Sequence, residues 1–263
     1  MTASAPPRKQ LSVVLRATRG LVTVDDVVAI LRVERRRAAK LLARWTEQGW
    51  LKRVHRGTYA PVPLDASSET KTIANPWLLV PTLFEPAYVG GWSAAEHWDL
   101  TEQLFRDICV FTAKRFRAKK ERIEGTTFML HTLGDNQLFG TSVVWESGTR
   151  IPVSDPHRTV IDMMDRPETG GGIRHASDCV AAYLASQHAN TAKLVEYGKR
   201  VGSGAIFKRL GFLLEQHGVA SDVLEECRAL LTAGYAKLDP ALPKDRLVTR
   251  WRLWIPAAWK TAP

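Results

Sequence analysis

The chain has 263 residues, of which 45% are hydrophobic, and its 37 Lys and Arg against 27 Asp and Glu give a formal net charge of +10. This length suits two modest domains or one large one, and the apolar content is sufficient for a packed core. Three widely spaced cysteines indicate neither a disulfide framework nor a zinc knuckle. No stretch approaches the roughly 18 apolar residues of a membrane helix, and the basic N-terminus lacks the apolar run of a signal peptide. We therefore predict a globular cytoplasmic protein without membrane association.

The net charge is concentrated in the first quarter of the chain. Residues 1–63 contain 13 bases and 4 acids, whereas residues 64–263 contain 24 bases and 23 acids. A local excess of positive charge predicts a polyanionic partner for this part of the protein.

The first sixty residues show the order of a winged helix-turn-helix. A short amphipathic helix in "LSVVLRATRG" precedes "LVTVDDVVAIL", a second helix with Thr23 as N-cap and acids in its first turn. A turn at residues 32–34 leads to a basic helix from about Arg35 to Gln48, which ends at Gly49. "WLKRV" and "TYAPV" then predict a β-hairpin with Gly57 at its turn.

The basic helix separates charge from apolar surface. At about 100° per residue, its basic side chains share one face, and the apolar side chains lie opposite. No acid interrupts the basic face, although exposed helices commonly carry acids that pair with bases. A basic face alone is often just solvated, but a helix-turn-helix places its second helix in the DNA major groove. The basic face comprises Arg36, Arg37, Lys40 and Arg44, and the opposite face Ala38, Leu41, Leu42 and Trp45.

The rest of the chain predicts a mixed α/β domain with a helical second half. Residues 64–76 are assigned as a linker. Beyond it we expect a short strand, a helix with a Ser93–Glu96 capping box, several β-prone runs and a helix capped by Asp155. Helical patterns follow residue 172, and "DRLVTRWRLWIP" predicts one last strand. The predicted class is α+β, with domains at residues 1–63 and 77–263.

Catalytic interpretations of the larger domain find little support. The glycine run in "RPETGGGIRHAS" lacks the Gly-Lys-Ser/Thr of a phosphate-binding loop and predicts a loop before a helix. Asp155, Asp162, Asp165 and His157 could be imagined as a metal-dependent nuclease site. Capping explains Asp155, however, and the solvent face of a helix explains the other two carboxylates. The remaining histidines show no metal-ligand spacing, and the cysteines are expected to pack in the core. We predict no catalytic residue, no metal and no cofactor.

Several sequence segments together resemble those of the AbiEi-type antitoxins, described as transcriptional regulators of viral defence systems. "RVHRGTYAPV" resembles that family's wing, and "YVGGWSAAEHWDL" the opening of its second domain. "IPVSDPHRTVIDMMDRPETGGGIRHASDCV" is similar to its strand-loop-helix with the glycine run, and "IFKRLGFLLEQHG" to a helix near its C-terminus. The resemblance covers roughly residues 10–255.

The resemblance implies a non-enzymatic antitoxin in a phage-defence toxin-antitoxin pair. Its winged helix would bind double-stranded operator DNA, with inverted repeats, and repress its own operon. Its C-terminal domain would counter a nucleotidyltransferase-fold toxin, with or without direct contact. Lys199, Arg200, Lys208 and Arg209 could extend the DNA surface, although a solvated face is the simpler interpretation. The DNA-binding candidates carried over by position are Arg35, Arg36, Arg37, Lys40 and Arg44 on the helix and Lys52, Arg53, His55 and Arg56 on the wing.

Two alternatives stay open. In the first, the C-terminal domain senses a small molecule, as in one-component regulators, and the predicted domain would then contain a sizeable ligand pocket. In the second, the chain is a nuclease targeted by its wing, which requires the acidic residues described above.

Overall fold

The computed structural model describes residues 7–18, 20–62 and 75–259. Its N-terminal segment, residues 7–62, packs three helices against a small antiparallel sheet with strand order β1-β3-β2. The elements in chain order are α1 (Pro7–Thr18), β1 (Val22–Thr23), α2 (Val24–Leu31), α3 (Arg35–Glu47), β2 (Leu51–His55) and β3 (Thr58–Pro61).

The predicted elements of this segment are present. The turn at residues 32–34 separates α2 from α3, and Gly57 lies at the hairpin turn with a φ of 80°. The first helix begins earlier than predicted, at Pro7. Most of the predicted linker, residues 64–74, lies outside the described residues.

A six-stranded mixed sheet forms the first part of the C-terminal segment, residues 75–259. Its strand order is β6-β7-β5-β4-β9-β8, with β5 parallel to β7 and β4 parallel to β9. Two short helices, α4 (Leu79–Leu83) and α5 (Gly91–His97), flank strand β4. The strands are β4 (Ala87–Val89), β5 (Ile108–Thr112), β6 (Lys120–Ile123), β7 (Thr126–Thr132), β8 (Thr141–Glu146) and β9 (Thr149–Ser154).

Both faces of this sheet are covered, because alternate residues of a strand point to opposite sides. Ile108 and Val110 join an apolar cluster that includes α4 and two hairpin residues, Val54 and Ala60. Side chains of the other face, such as Phe111, pack in a separate cluster with residues of α5. The N-terminal hairpin therefore docks on one face of the sheet, a contact that the sequence pattern did not predict.

The second half is helical, as predicted, and is closed by a small sheet of order β10-β12-β11. Gly211 lies against the fully buried ring of Trp251 in the centre of this core. The mixed α/β class with a helical second half is thus confirmed. The elements are α6 (Pro156–Asp165), α7 (Ile173–Ala185), α8 (Thr191–Val201), α9 (Ile206–Gln216), α10 (Ser221–Ala229), β10 (Ala236–Lys237), β11 (Arg246–Val248) and β12 (Leu253–Ile255).

Two local expectations were wrong. Ser93 does not cap α5, because the helix begins at Gly91 and the buried Ser93 hydroxyl instead accepts a hydrogen bond from the Cys109 backbone N–H at 3.0 Å. The tail forms two strands, β11 and β12, because it folds back on itself through a turn at Arg252 with positive φ.

None of the helices within residues 7–18, 20–62 and 75–259 combines the length and apolar character required to cross a membrane.

Candidate nucleic-acid interface

The start of α2 is fixed by a reciprocal capping box. The Thr23 hydroxyl accepts a hydrogen bond from the Asp26 N–H at 3.1 Å, and the Asp26 carboxylate accepts one from the Thr23 N–H at 2.7 Å. The helix ends where Arg32 adopts a left-handed conformation with φ of 52°. Local chemistry at both ends of α2 therefore determines where the chain turns and how α3 begins.

One face of α3 is fully buried. Ala38, Leu42 and Trp45 have no exposed surface and pack with residues of α1 and α2, including Val14 and Val27. Burial of a side chain of the size of Leu42 contributes roughly 1.5–3 kcal/mol. Because this face is anchored, the opposite face of α3 is held towards solvent.

The exposed face of α3 is basic, as the sequence predicted, and all five of its bases are exposed. Arg35 forms an ion pair with Asp25 of α2. Among the described residues, the other four bases of α3 form no ion pair. Three arginines in a first helical turn also oppose the helix dipole, which favours acids there. This arrangement is unfavourable for the isolated helix and would be relieved by an anion. The five bases are Arg35, Arg36, Arg37, Lys40 and Arg44.

The hairpin divides the predicted wing residues into two groups. Arg53 and Arg56 are exposed. Lys52 instead forms an ion pair with Glu124 at the β6–β7 turn, and Nε2 of His55 lies 3.5 Å from Oε1 of Glu121 on β6. Lys52 and His55 thus face acids of the C-terminal segment, a contact that sequence spacing could not show.

The first pair of bases suggested for an extended DNA surface lies inside the fold. Lys208 and Arg209 were expected at the surface but are only 3% and 4% exposed. Lys208 donates to the Thr232 hydroxyl at 2.9 Å, and Arg209 donates to the carbonyl oxygens of Met164 and Asp165 at 2.8 and 2.9 Å. The prediction was wrong for this pair, because both side chains supply donors to carbonyl and hydroxyl groups inside the fold.

The other pair of suggested bases lies on α8. Nζ of Lys199 is 2.8 Å from a carboxylate oxygen of Glu226. The Arg200 guanidinium lies 3.8 Å from the centroid of the Phe139 ring. Both side chains therefore have partners within the helical half of the chain.

The acidic residues considered for a nuclease do not converge. Asp155 caps α6 as predicted, accepting the Arg158 N–H at 2.7 Å. Asp162 does not face solvent, contrary to expectation, but is 3% exposed and bonded to Nε of Arg158 at 2.8 Å and to the Tyr88 hydroxyl at 2.9 Å. Burial raises the pKa of Asp162 to about 6, against the opposing effect of Arg158. Within the described ranges, no group of three His, Cys, Asp or Glu side chains could hold a metal ion.

A surface cleft of about 560 Å³ borders the six-stranded sheet, and its lining includes Trp77, His97 and Phe105. Trp77 and His97 lie with ring centroids 5.8 Å apart. This cleft is where a small-molecule sensor would be sought.

The N-terminal segment is consistent with a helix-turn-helix domain, since a capped α2, a short turn and an α3 with an exposed basic face follow one another. Residues 10–62 match the AbiEi_4 family, described as "Transcriptional regulator, AbiEi antitoxin". The resemblance inferred from the sequence is confirmed for these residues. It supports antitoxin activity, transcription regulation and DNA binding as the functional class.

The full chain also has a structural relative. A crystal structure of the RV2827C protein from Mycobacterium tuberculosis aligns with a TM-score of 0.60, covering 94% of this chain and 91% of that chain at 16% identity. The two proteins share a fold along most of their lengths. No curated protein matches the sequence.

Proposed function

We propose that the chain is a DNA-binding antitoxin that represses its own operon. In this proposal residues 1–63 form a winged helix-turn-helix domain, residues 64–76 a linker and residues 77–263 the antitoxin domain. The observation that carries the proposal is the exposed basic face of α3, which lies on a segment matching a family of regulators.

The proposed contacts follow from the two faces of α3. With Trp45 and Leu42 buried, α3 would enter the major groove by its basic face. Arginine can bond guanine through two N–H groups, and either Arg or Lys can neutralise phosphate. Arg53 and Arg56 would supply the contacts of the wing. Lys52 and His55, by contrast, would dock the wing on the C-terminal domain, because both face acids there.

The arrangement of the operator, the fold of the toxin partner and the lack of enzymatic activity are also proposals. The operator would contain inverted repeats, bound by two copies side by side or by monomers that act independently. The toxin partner would have a nucleotidyltransferase fold. Family members of this type are regulators, so we propose no enzymatic activity for this chain.

A reporter assay tests the repressor half of the proposal. The DNA upstream of the gene is fused to a reporter, and the chain is supplied from a second promoter. We expect strong repression by the unaltered chain and its loss in an Arg36→Ala/Lys40→Ala variant. A Lys193→Ala/Lys199→Ala variant removes the same charge from α8 and should repress normally. Equal repression by the two variants would contradict the role of α3.

Growth rescue tests the antitoxin half separately. The Arg36→Ala/Lys40→Ala variant is co-expressed with the neighbouring toxin gene from a promoter that the chain does not control. We expect it to rescue growth, because the proposal places neutralisation in residues 77–263. If the chain instead regulates transcription by sensing a small molecule in the Trp77 cleft, neither the variant nor the unaltered chain should rescue growth.

A further inference from the structure

A second basic surface lies in the C-terminal segment, between β5 and β6 and along β6. Residues 113–119 connect these strands with the sequence "AKRFRAK", which contains no acid. All six bases of the loop and strand are exposed. Glu121, the acid among them, faces His55 of the hairpin. The six bases are Lys114, Arg115, Arg117, Lys119, Lys120 and Arg122.

The loop is anchored to the fold by backbone and ring contacts. Phe116 packs edge-on against the buried ring of Phe84, with centroids 5.6 Å apart. The Thr112 hydroxyl accepts a hydrogen bond from the Lys114 N–H at 3.0 Å, and the Lys119 carbonyl accepts one from the Leu130 N–H at 2.8 Å. The bases on either side of Phe116 are therefore presented from a defined backbone.

The loop lies in the direction in which the hairpin points. Lys52 contacts Glu124, and His55, three residues later, contacts Glu121. From Lys52 to His55 the hairpin therefore runs along β6 towards Lys120, the first residue of that strand. The next residues, Arg56 and Gly57, form the hairpin turn. Continuing in this direction leads to Lys120 and then to the loop.

The charges of this surface are unneutralised. Among the described residues, none of the six bases forms an ion pair, whereas Lys193 and Lys199 on α8 are each paired with a glutamate. A compact set of exposed, unpaired bases around a fixed backbone suits a partner whose negative charges repeat at short intervals, as the phosphates of duplex DNA do.

We propose that the β5–β6 loop binds the phosphate backbone of duplex DNA beyond the hairpin, extending the surface formed by α3. This inference rests on the proposed function, because it takes the operator as the ligand. The loop adds affinity without sequence preference, since phosphate contacts do not distinguish bases. The C-terminal segment thereby lengthens the footprint on DNA.

Binding titrations on two duplexes test the loop. One duplex has about 30 base pairs from upstream of the gene, and the other is its scrambled counterpart. In full-length Arg115→Ala/Arg117→Ala/Lys119→Ala, we expect both affinities to fall by about 10- to 100-fold at physiological salt. The slope of log K against log salt concentration should become shallower by about 2 to 3, because each lost phosphate contact changes it by about 0.9. The ratio of the two affinities should stay unchanged.

The length of the duplex provides an internal control. On upstream DNA trimmed to about 12 base pairs, roughly one helical turn, the loop has no backbone to reach and the triple variant should bind like the unaltered chain. A Lys193→Ala/Lys199→Ala/Lys244→Ala variant removes the same charge elsewhere and should keep the full slope. Circular dichroism verifies that both variants are folded.

The outcomes separate this inference from the function on which it rests. If the unaltered chain does not distinguish upstream from scrambled DNA, the proposed operator function fails. If the chain is selective but the loop variant keeps the slope of the matched control, the loop inference fails alone. A loop variant that keeps its DNA slope but no longer rescues cells from the toxin would assign the loop to a protein partner and overturn the inference.

Discussion

Lys52 on the hairpin and Glu124 at the β6–β7 turn form an ion pair between residues 72 positions apart. Beside this pair, Val54 and Ala60 of the hairpin enter the apolar cluster of the six-stranded sheet. The two parts of the chain are thus joined by both charge and apolar contact. The relative contributions of these contacts can be measured.

We expect the apolar contact to contribute more. The Lys52 and Glu124 side chains are 36% and 14% exposed, so Glu124→Gln should lower the free energy of unfolding by less than about 1 kcal/mol. Val54 is 9% exposed, and Val54→Ala should cost about 2 kcal/mol. Urea unfolding of both variants gives the comparison. A larger loss in Glu124→Gln would show that charge holds the hairpin in place.

The buried pair of Arg158 and Asp162 should be strongly coupled. Removal of one member leaves the other charge buried without its partner, so Arg158→Met or Asp162→Asn should each cost about 3–5 kcal/mol. The double variant Arg158→Met/Asp162→Asn should lose less than the sum of the two single losses. Thermal unfolding followed by circular dichroism measures all three. Additive losses below about 1 kcal/mol each would contradict a structural role for the pair.

Gly211 should not tolerate a methyl group. Alanine normally stabilises a helix relative to glycine by about 1 kcal/mol. At this position, however, the added Cβ would overlap the buried ring of Trp251. We expect Gly211→Ala to lower stability by about 1–3 kcal/mol through overpacking. In a Trp251→Leu background the same change should cost less, and an equal cost in both backgrounds would exclude the ring as the cause.

His131 should make stability depend on pH. Burial, with the nearby charges of Arg166 and Lys119, lowers the pKa of its imidazole from 6.5 to about 4. The unfolded chain therefore binds a proton more readily, so the stability present above pH 6.5 is lost as the pH falls towards 4. The expected loss from this group is about 2–3 kcal/mol.

A His131→Phe variant serves as the comparison for this pH dependence. Urea unfolding of both proteins from pH 7.5 to 4.5 should show their stability difference changing across this range, since other titrating groups are common to both. A constant difference would mean that His131 titrates alike in the folded and unfolded chains.

Sequence patterns predicted the role of a side chain correctly where its bonding partner is close in sequence. Thr23 and Asp155 act as helix caps as predicted, because a cap bonds to an amide only three residues away. Ser93 was misassigned because its hydroxyl meets an amide 16 positions further along the chain. Arg209 and Asp162 were predicted at the surface because charged side chains are usually exposed. Both are buried, because Arg209 bonds to the Met164 carbonyl of another helix and Asp162 bonds to Arg158 one turn away.

The same distinction applies to the candidate site. The basic face of α3 could be predicted from the helical period alone. The docking of Lys52 and His55 could not, since it depends on how the hairpin meets β6. The loop at residues 113–119 gave a signal in its composition, with four bases in seven residues, but its position beyond the hairpin emerges only from the fold.

The most direct test of the central claim is a titration of full-length protein on DNA from upstream of its gene and on a scrambled duplex, at two salt concentrations. We predict selective, salt-sensitive binding. Arg36→Ala should cost about 1–3 kcal/mol on the upstream DNA and little on the scrambled DNA if this arginine reads a base. Arg36→Ala/Lys40→Ala should lose selectivity altogether. Equal affinity of the unaltered chain for both duplexes would contradict the account, because the basic face of α3 would then provide only nonspecific attraction.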